Sequence, residues 1–563
     1  MTDKFAREAD VAVESDILVI GGGAAGNMAA LFAAKEGAKV NLVDKGGIFR
    51  SGCGAAGNDH FLAVLETGPD WDTKEAFLKW YNQLTQGMVN PQIVENGYLR
   101  NIKFLVNYLE DLGIPMKLDK TKDDYIRTQS FGQPGPYFIN FDGKKLNPTI
   151  AKEARKEGVH FYKHTAITNL LVKDEQVCGA VGFNFKTGTF YVFKAKAVIL
   201  ATGGACRLYE NTTGLAFNTW QSPFNNGAAQ AAAFKIGARL ANMEVIGFTL
   251  VPKNFSAAGL NALVGMGGHL VNALGERIAF KYHPQGEKGP RWALPWAVYW
   301  ETKEGRGPCY FDLRHLSPED LHYLKYHLLT VDKVSFIDYL HQKEIDLAKD
   351  LLEMQLIEGE LPAMAGQVHG IVIDEHFQTD IPGLFAAGGC ALAVGSMAGS
   401  MCCGKTAGEE AAAFSKGVDG ILETDDEIIA GFKEEIYRPL KIKNGIDYRR
   451  IEGKMKKIMS SYVGIGRNEK GLVTALESLA KLEKYLAKIQ AGNGHELLRC
   501  SELKDLLVIA QVIARGALIR EESRFGLSHY RGDFPESRET WHKLILQKKT
   551  GRETETAFLP IYH

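Results

Sequence analysis

The sequence predicts an α/β fold that ends in a helical region, and three stretches carry that expectation. Asp16–Lys45, DILVIGGGAAGNMAALFAAKEGAKVNLVDK, reads as strand, glycine turn, Ala-rich helix and second strand, the order of a parallel βαβ unit. Val159–Leu200 alternates apolar and polar residues, as strands do, and delivers the chain to Ala201-Thr202-Gly203-Gly204. Residues 470–490, KGLVTALESLAKLEKYLAKIQ, repeat their apolar positions at i, i+3, i+4 and i+7, the stripe of an amphipathic helix.

Taken in order, residues 1–15 are polar and charged and read as a surface extension without a secretory leader. Gly21, Gly23 and Gly26 then form G-x-G-x-x-G at the strand-to-helix turn. Gly21 permits the tight turn, Gly23 lets the backbone approach a pyrophosphate, and Gly26 lets helix and strand pack closely. The helix N-terminus adds free N–H groups and partial positive charge for the phosphates. Asp44, 23 residues after Gly21, closes the second strand where an acid can accept hydrogen bonds from a ribose diol. This motif alone leaves NAD and FAD equally open. GGIFRSGCGAAGNDHF (46–61) follows as a loop too small-sided for core. Residues 74–112 have helical spacing, Gly132-to-Pro136 is a turn before a hairpin, Ala151–Gly158 reads as a helix, and Lys186-Thr187-Gly188 is a hairpin turn.

The totals bound the rest. At ~150 residues per domain, 563 residues suggest three or four. A balance of 66 basic against 67 acidic residues gives no footing for nucleic acid or an anionic membrane through bulk charge. The eight cysteines include no C-x-x-C, so neither an iron–sulfur cluster nor a zinc site is expected and the metal reading is none. The longest apolar run, Leu506–Ile519, is broken by Gln511 and Arg515, short of a membrane span. The expected setting is the cytoplasm, with no direct membrane span.

Five further stretches share one pattern. ATGGACRLYENTTG (201–214), NNGAAQAAAFKIGARLANMEVIGF (225–248), RGPCYFDLRHL (306–316), TDIPGLFAAGGCA (379–391) and REESRFGLSHYRGDFPESRETW (520–541) resemble, in order, the signatures of the succinate dehydrogenase/fumarate reductase flavoprotein family. Within it FRSG (49–52), AVGFNFKTGTFYVFKAK (180–196) and LVPKNF (250–255) are similar to the adenylylsulfate reductase α-subunit branch. The resemblance implies a Rossmann-like FAD-binding domain at 1–250 and 363–422. It also implies an inserted α+β capping domain at 251–362 and a C-terminal helical region and tail at 423–563. It settles the cofactor as FAD.

By that resemblance Gly21, Gly23, Ala25 and Gly26 would grip the pyrophosphate, with Asp44 and Lys45 at the adenosine ribose. Ser51, Gly52, Ala56, Gly57 and Asn58 would follow the ribityl chain and flavin edge. Ala166 would meet adenine, Thr202 and Gly203 the diphosphate, and Gly388, Gly389, Ser400 and Met401 the pyrimidine end. Family members that tether FAD use a histidine where this chain has Arg50-Ser51-Gly52, so the FAD is expected to be non-covalent. Gly389 replaces the glutamate that the family sets on the ribityl chain.

The substrate side departs from the dicarboxylate pattern. GFTLVPKNF (247–255) has no His-Pro-Thr, and SMAGSM (396–401) lacks the family's later arginine. Two carboxylates need several cations to offset desolvation, so succinate or fumarate chemistry is not expected. The resemblance offers His369 and Lys253 as the groups that hold a sulfur oxyanion or other small-molecule substrate. Trp292, Trp296 and Trp300 lie four residues apart and suit a planar substrate or cap packing. His283 and Arg291 read as solvated surface. Flavin electrons would pass to a ferredoxin-like iron–sulfur subunit. The rival reading is an electron-transfer flavin subunit of a larger redox complex, without a working substrate pocket.

Overall fold

The computed structural model describes residues 10–118, 124–129, 133–211, 217, 219–255, 260–329, 334–359 and 366–562. Strand β1 (Val11–Ile20), helix α1 (Ala24–Lys35) and strand β2 (Val40–Asp44) form the first unit. Its strands carry Ile17–Ile20 and Leu42–Val43, nearly or fully buried on both faces, as strands covered by helices must be. β1 pairs in parallel with β2 on one side and with β3 (Phe190–Leu200) on the other. The first half of β3 takes the antiparallel strand Gln176–Asn184, and its last residues take β4 (Leu384–Ala386) in parallel. A strand some 180 residues downstream thus returns to the same sheet, with an insertion between.

That insertion has its own sheet, in the order Phe248–Pro252, Leu352–Glu358, Cys309–Asp312, His269–Val271, all antiparallel. It also has its own core around Leu250, Leu270, Leu294 and Phe311. Helix α2 (Ala293–Lys303) of this cap turns its tryptophans away from the ligand. Trp296 lies 5.0 Å from the ring of Phe525 and 4.6 Å from Tyr530, and Trp292 stacks on Phe525 at 5.5 Å. The tryptophan stripe clamps cap to C-terminal segment, and none of the three lines the cavity described below.

Helix α3 (Ser396–Lys416) crosses α1 at backbone contact. A Cβ on Gly404 or Gly408 would lie 2.3 Å from the carbonyl of Ala25 or Ala29, so only glycine permits that crossing. Residues 469–483 form the amphipathic helix that the spacing predicts, ending seven residues early. Buried helix α4 (Gly494–Ile519) follows. The C-terminal tail corrects the expectation. Lys543–Thr550 and Glu553–Pro560 form a hairpin that adds to Leu240–Ala241, with Leu544, Ile545 and Leu546 buried. The helix Leu146–Lys156 likewise starts five residues before the predicted Ala151.

Candidate functional site

A cavity of about 1770 Å³ opens at the C-terminal ends of β1 and β2 and continues beneath the cap. Single-ligand pockets run to ~300–1,000 Å³, so this one has room for a dinucleotide and a second molecule. At the sheet end it is lined by Gly21, Gly23, Ala25, Asp44 and Lys45, and along one wall by Ser51, Gly52, Gly57 and Asn58. Ala166, Thr202, Gly203, Gly388, Gly389 and Ser400 complete the lining expected from the sequence. Gly26 lies behind it: a Cβ there would sit 1.7 Å from the Gly21 carbonyl, so it serves the close packing of helix on turn. Met401 is not in the lining and is buried inside α3, and the side chain of Ala56 lies outside the described residues.

The cradle fits a dinucleotide. A Cβ on Gly23 would meet nothing but Gly52 Cα, at 3.8 Å, which leaves open space at the N-terminus of the 12-residue α1, where a pyrophosphate is favoured. Asp44 anchors the surrounding loop. Its Oδ2 accepts the Gly22 N–H at 2.7 Å, and its Oδ1 accepts the Ser51 hydroxyl at 2.8 Å and the Gly46 N–H. Oδ2, with one bond made, keeps lone-pair capacity for a ribose hydroxyl. Asn226 Nδ2 and Gln367 Oε1 are buried with no protein partner, and both residues line the cavity. Buried polar atoms of this kind are paired in a complete structure.

Lys45 does more than the sequence showed. Its Nζ bonds Asn226 Oδ1 at 2.7 Å and Glu502 Oε1 at 2.8 Å, tying the cofactor loop to α4. Burial alone would raise the Glu502 carboxyl, but the charges of Lys45, Arg207 and Arg499 overcome it and hold it at about 2. No local pattern announces a contact across 457 residues.

Beneath the cap the lining includes Thr249, Val264, Met266, Arg291 and Leu328, together with Trp220. Arg291 corrects the surface reading. Its guanidinium is 4.9 Å from the Trp220 ring centre, and Nη2 donates to Thr249 Oγ1 at 3.1 Å. It keeps partial exposure, on the face that opens into the cavity. Desolvation lowers its pKa to about 10, and no carboxylate pairs with it among the described residues. Elsewhere in the lining His60 Nδ1 lies 2.7 Å from Asp59 Oδ1, an arrangement that fixes the ring and leaves Nε2 for proton transfer. Cys53 stands at the wall beside Gln221 and Asn225.

The structure does not bring the two sequence-derived catalytic residues to this cavity. His369 is 5% exposed, and burial takes its pKa down to about 4, against a stabilising hydrogen bond to the Val245 backbone. A neutral buried imidazole is a poor anion holder. Lys253 is half-exposed and pairs with Glu353 at 2.6 Å. His283 also lies off the cavity wall, edge-on to Trp292. Among the described residues no group of His, Cys, Asp and Glu could hold a metal ion, and no helix is long and apolar enough to cross a membrane.

The sequence pattern of the FAD binding domain family matches residues 16–404, and that of the fumarate reductase flavoprotein C-terminal region matches 452–560. This chain belongs to the fumarate reductase-type flavoproteins. It is 30% identical to an uncharacterized FAD-dependent oxidoreductase of Methanocaldococcus jannaschii, over 95% of this chain and 96% of that one. It is 28% identical to one component chain of the CoM/CoB fumarate reductase of Methanothermobacter marburgensis, over 97% and 98%. Adenylylsulfate reductase of Archaeoglobus fulgidus superposes with a TM-score of 0.87 at 27% identity, over 100% of this chain and 98% of that one. This flavoprotein is therefore an FAD-dependent oxidoreductase, and its cradle holds FAD.

Proposed function

We propose that the chain exchanges electrons between an anionic substrate under the cap and an iron–sulfur partner through non-covalent FAD, and that it works in the cytoplasm. The observation that carries this reading is the unbroken cavity from the flavin cradle to Arg291, a cation partly sheltered under the cap with no carboxylate partner among the described residues. Bound FAD supplies two-electron chemistry toward the substrate and one-electron chemistry toward a cluster. Arg291 holds and orients the anion, with Trp220 and Thr249 fixing its guanidinium. Asp59 holds His60 so that Nε2 gives or takes the substrate proton. The scattered cysteines support the reading that the cluster is held by a separate chain.

The test is anaerobic photoreduction of the flavin in the purified protein and its co-purifying partners, followed by a scan of candidate acceptors such as fumarate for reoxidation of the reduced flavin, and of candidate donors such as sulfite with AMP for bleaching of the oxidised one. Reoxidation by one acceptor, slowed about 10²–10⁴-fold by His60→Gln and also slowed by Arg291→Gln, supports the proposal. Reoxidation by the partner alone, with both variants unaffected, favours the pure electron-transfer role and overturns it.

A further inference from the structure

The charges around the cavity identify the kind of molecule the cap covers. Most lining cations are committed or solvated. Lys45 and Arg499 pair with Glu502, Arg127 lies 3.5 Å from Asp72, and Arg50, Lys186 and Lys288 are exposed to solvent. Among the described residues Arg291 remains, sheltered, with one of its five N–H donors on Thr249. A desolvated guanidinium without a counter-charge is costly, and one carboxylate in fork geometry offsets that cost. A second carboxylate on the same ligand would meet Val264, Met266 and Leu328 and, among the described lining cations not already paired, only the solvent-exposed Arg50, Lys186 and Lys288, whose well-hydrated charges do less to offset its desolvation. Those side chains and the Trp220 ring instead present apolar surface, one of them a flat aromatic face.

We infer that the chamber takes a monocarboxylate with a flat apolar body, an aromatic or conjugated acid, its carboxylate on Arg291 and its body between Trp220 and the apolar cap wall. This rests on reading the chamber as the substrate site, as proposed above. A dicarboxylate or a nucleotide-linked oxyanion carries a second negative charge that the one sheltered cation among the described residues does not match.

The holoprotein is titrated with benzoate, benzamide and succinate, following the visible absorbance of the bound flavin and, in parallel, the heat of binding. Benzoate is expected to bind saturably and to perturb the flavin spectrum. Benzamide, of the same shape without the charge, and succinate are each expected to bind at least about tenfold more weakly. Arg291→Gln weakens benzoate about 10–100-fold, as loss of a charge-assisted hydrogen bond requires, while Arg291→Lys retains part of the affinity. If Arg291→Gln loses its flavin, Arg291→Lys and the benzoate–benzamide contrast in the wild type decide. Equal binding of benzoate and benzamide, or benzoate binding that is indifferent to Arg291, overturns the inference. Tighter succinate binding also overturns it, and leaves the chamber a substrate site. Arg291-dependent benzoate binding that never perturbs the flavin supports the ligand class and counts against the chamber's role in flavin chemistry.

Discussion

Glu358 is the last residue of the strand Leu352–Glu358 in the inserted sheet. Its carboxyl is buried, Oε2 accepts the Leu208 N–H at 2.8 Å, and Oε1 accepts the Arg207 N–H. Burial raises its pKa from 4.5 to about 7, against the pull of those N–H groups and of Lys456. At about 1.4 kcal/mol per pH unit, that rise is worth about 3 kcal/mol. The folded state holds the proton more tightly than the unfolded chain. The stabilisation is therefore complete below about pH 4.5 and is lost as pH climbs through about 7. Glu358→Gln keeps the shape and removes the titration. Between about pH 5 and about pH 8, wild type should lose about 2–3 kcal/mol more than Glu358→Gln. Denaturant midpoints, followed by the fluorescence of the cap tryptophans, read the difference. Glu502 at about 2 and His369 at about 4 titrate below that window, and both cancel in the comparison. Parallel pH profiles for the two proteins would refute the reasoning, as would a wild type that gains stability relative to the variant.

Acid precipitation should leave all flavin in the supernatant, because the stretch Arg50-Ser51-Gly52 offers no histidine for a tether; flavin absorbance in the pellet would contradict this. Gly26→Ala should yield protein without flavin, since its Cβ would fall 1.7 Å from the Gly21 carbonyl, and the flavin-to-protein absorbance ratio measures it. Trp296→Ala removes ring contacts to Phe525 and Tyr530 and should weaken cap docking by about 2–4 kcal/mol, seen as faster proteolysis in the 520–534 segment. Arg520→Ala leaves Glu244 and Glu522 buried without their guanidinium and should cost about 3–5 kcal/mol in denaturant unfolding.

The cofactor end of the molecule was legible because its requirements are local. Gly21 takes a positive φ and Gly26 abuts the Gly21 carbonyl, requirements that fall within six residues, and the apolar strands on either side advertise burial on both faces. The C-terminal hairpin was not, because Lys543–Thr550 alternates weakly and its partner at Leu240–Ala241 lies some 300 residues away. The tryptophan stripe gave its helical face from spacing alone, yet the rings it meets, Phe525 and Tyr530, belong to another region of the chain. Lys45 is the sharper case: sequence put it near the ribose, and its bond to Glu502 makes α4 part of the cradle.

Arg291 and Lys253 show why the substrate end resisted reading. Both are cations of the inserted segment, and by residue type either could hold an anion. What separates them is desolvation. Lys253 keeps its water and a carboxylate partner at 2.6 Å, so an incoming anion would have to displace Glu353 for little gain in a high-dielectric setting. Arg291 is only partly exposed and has no carboxylate partner among the described residues, and desolvation lowers its pKa, a cost left unmet at that position. A ligand carboxylate would recover it, in a cavity where the attraction is weakly screened. Only the fold can withhold water from one arginine and leave it to a lysine 38 positions earlier, so the residue with the chemistry to choose a substrate emerges from the tertiary structure.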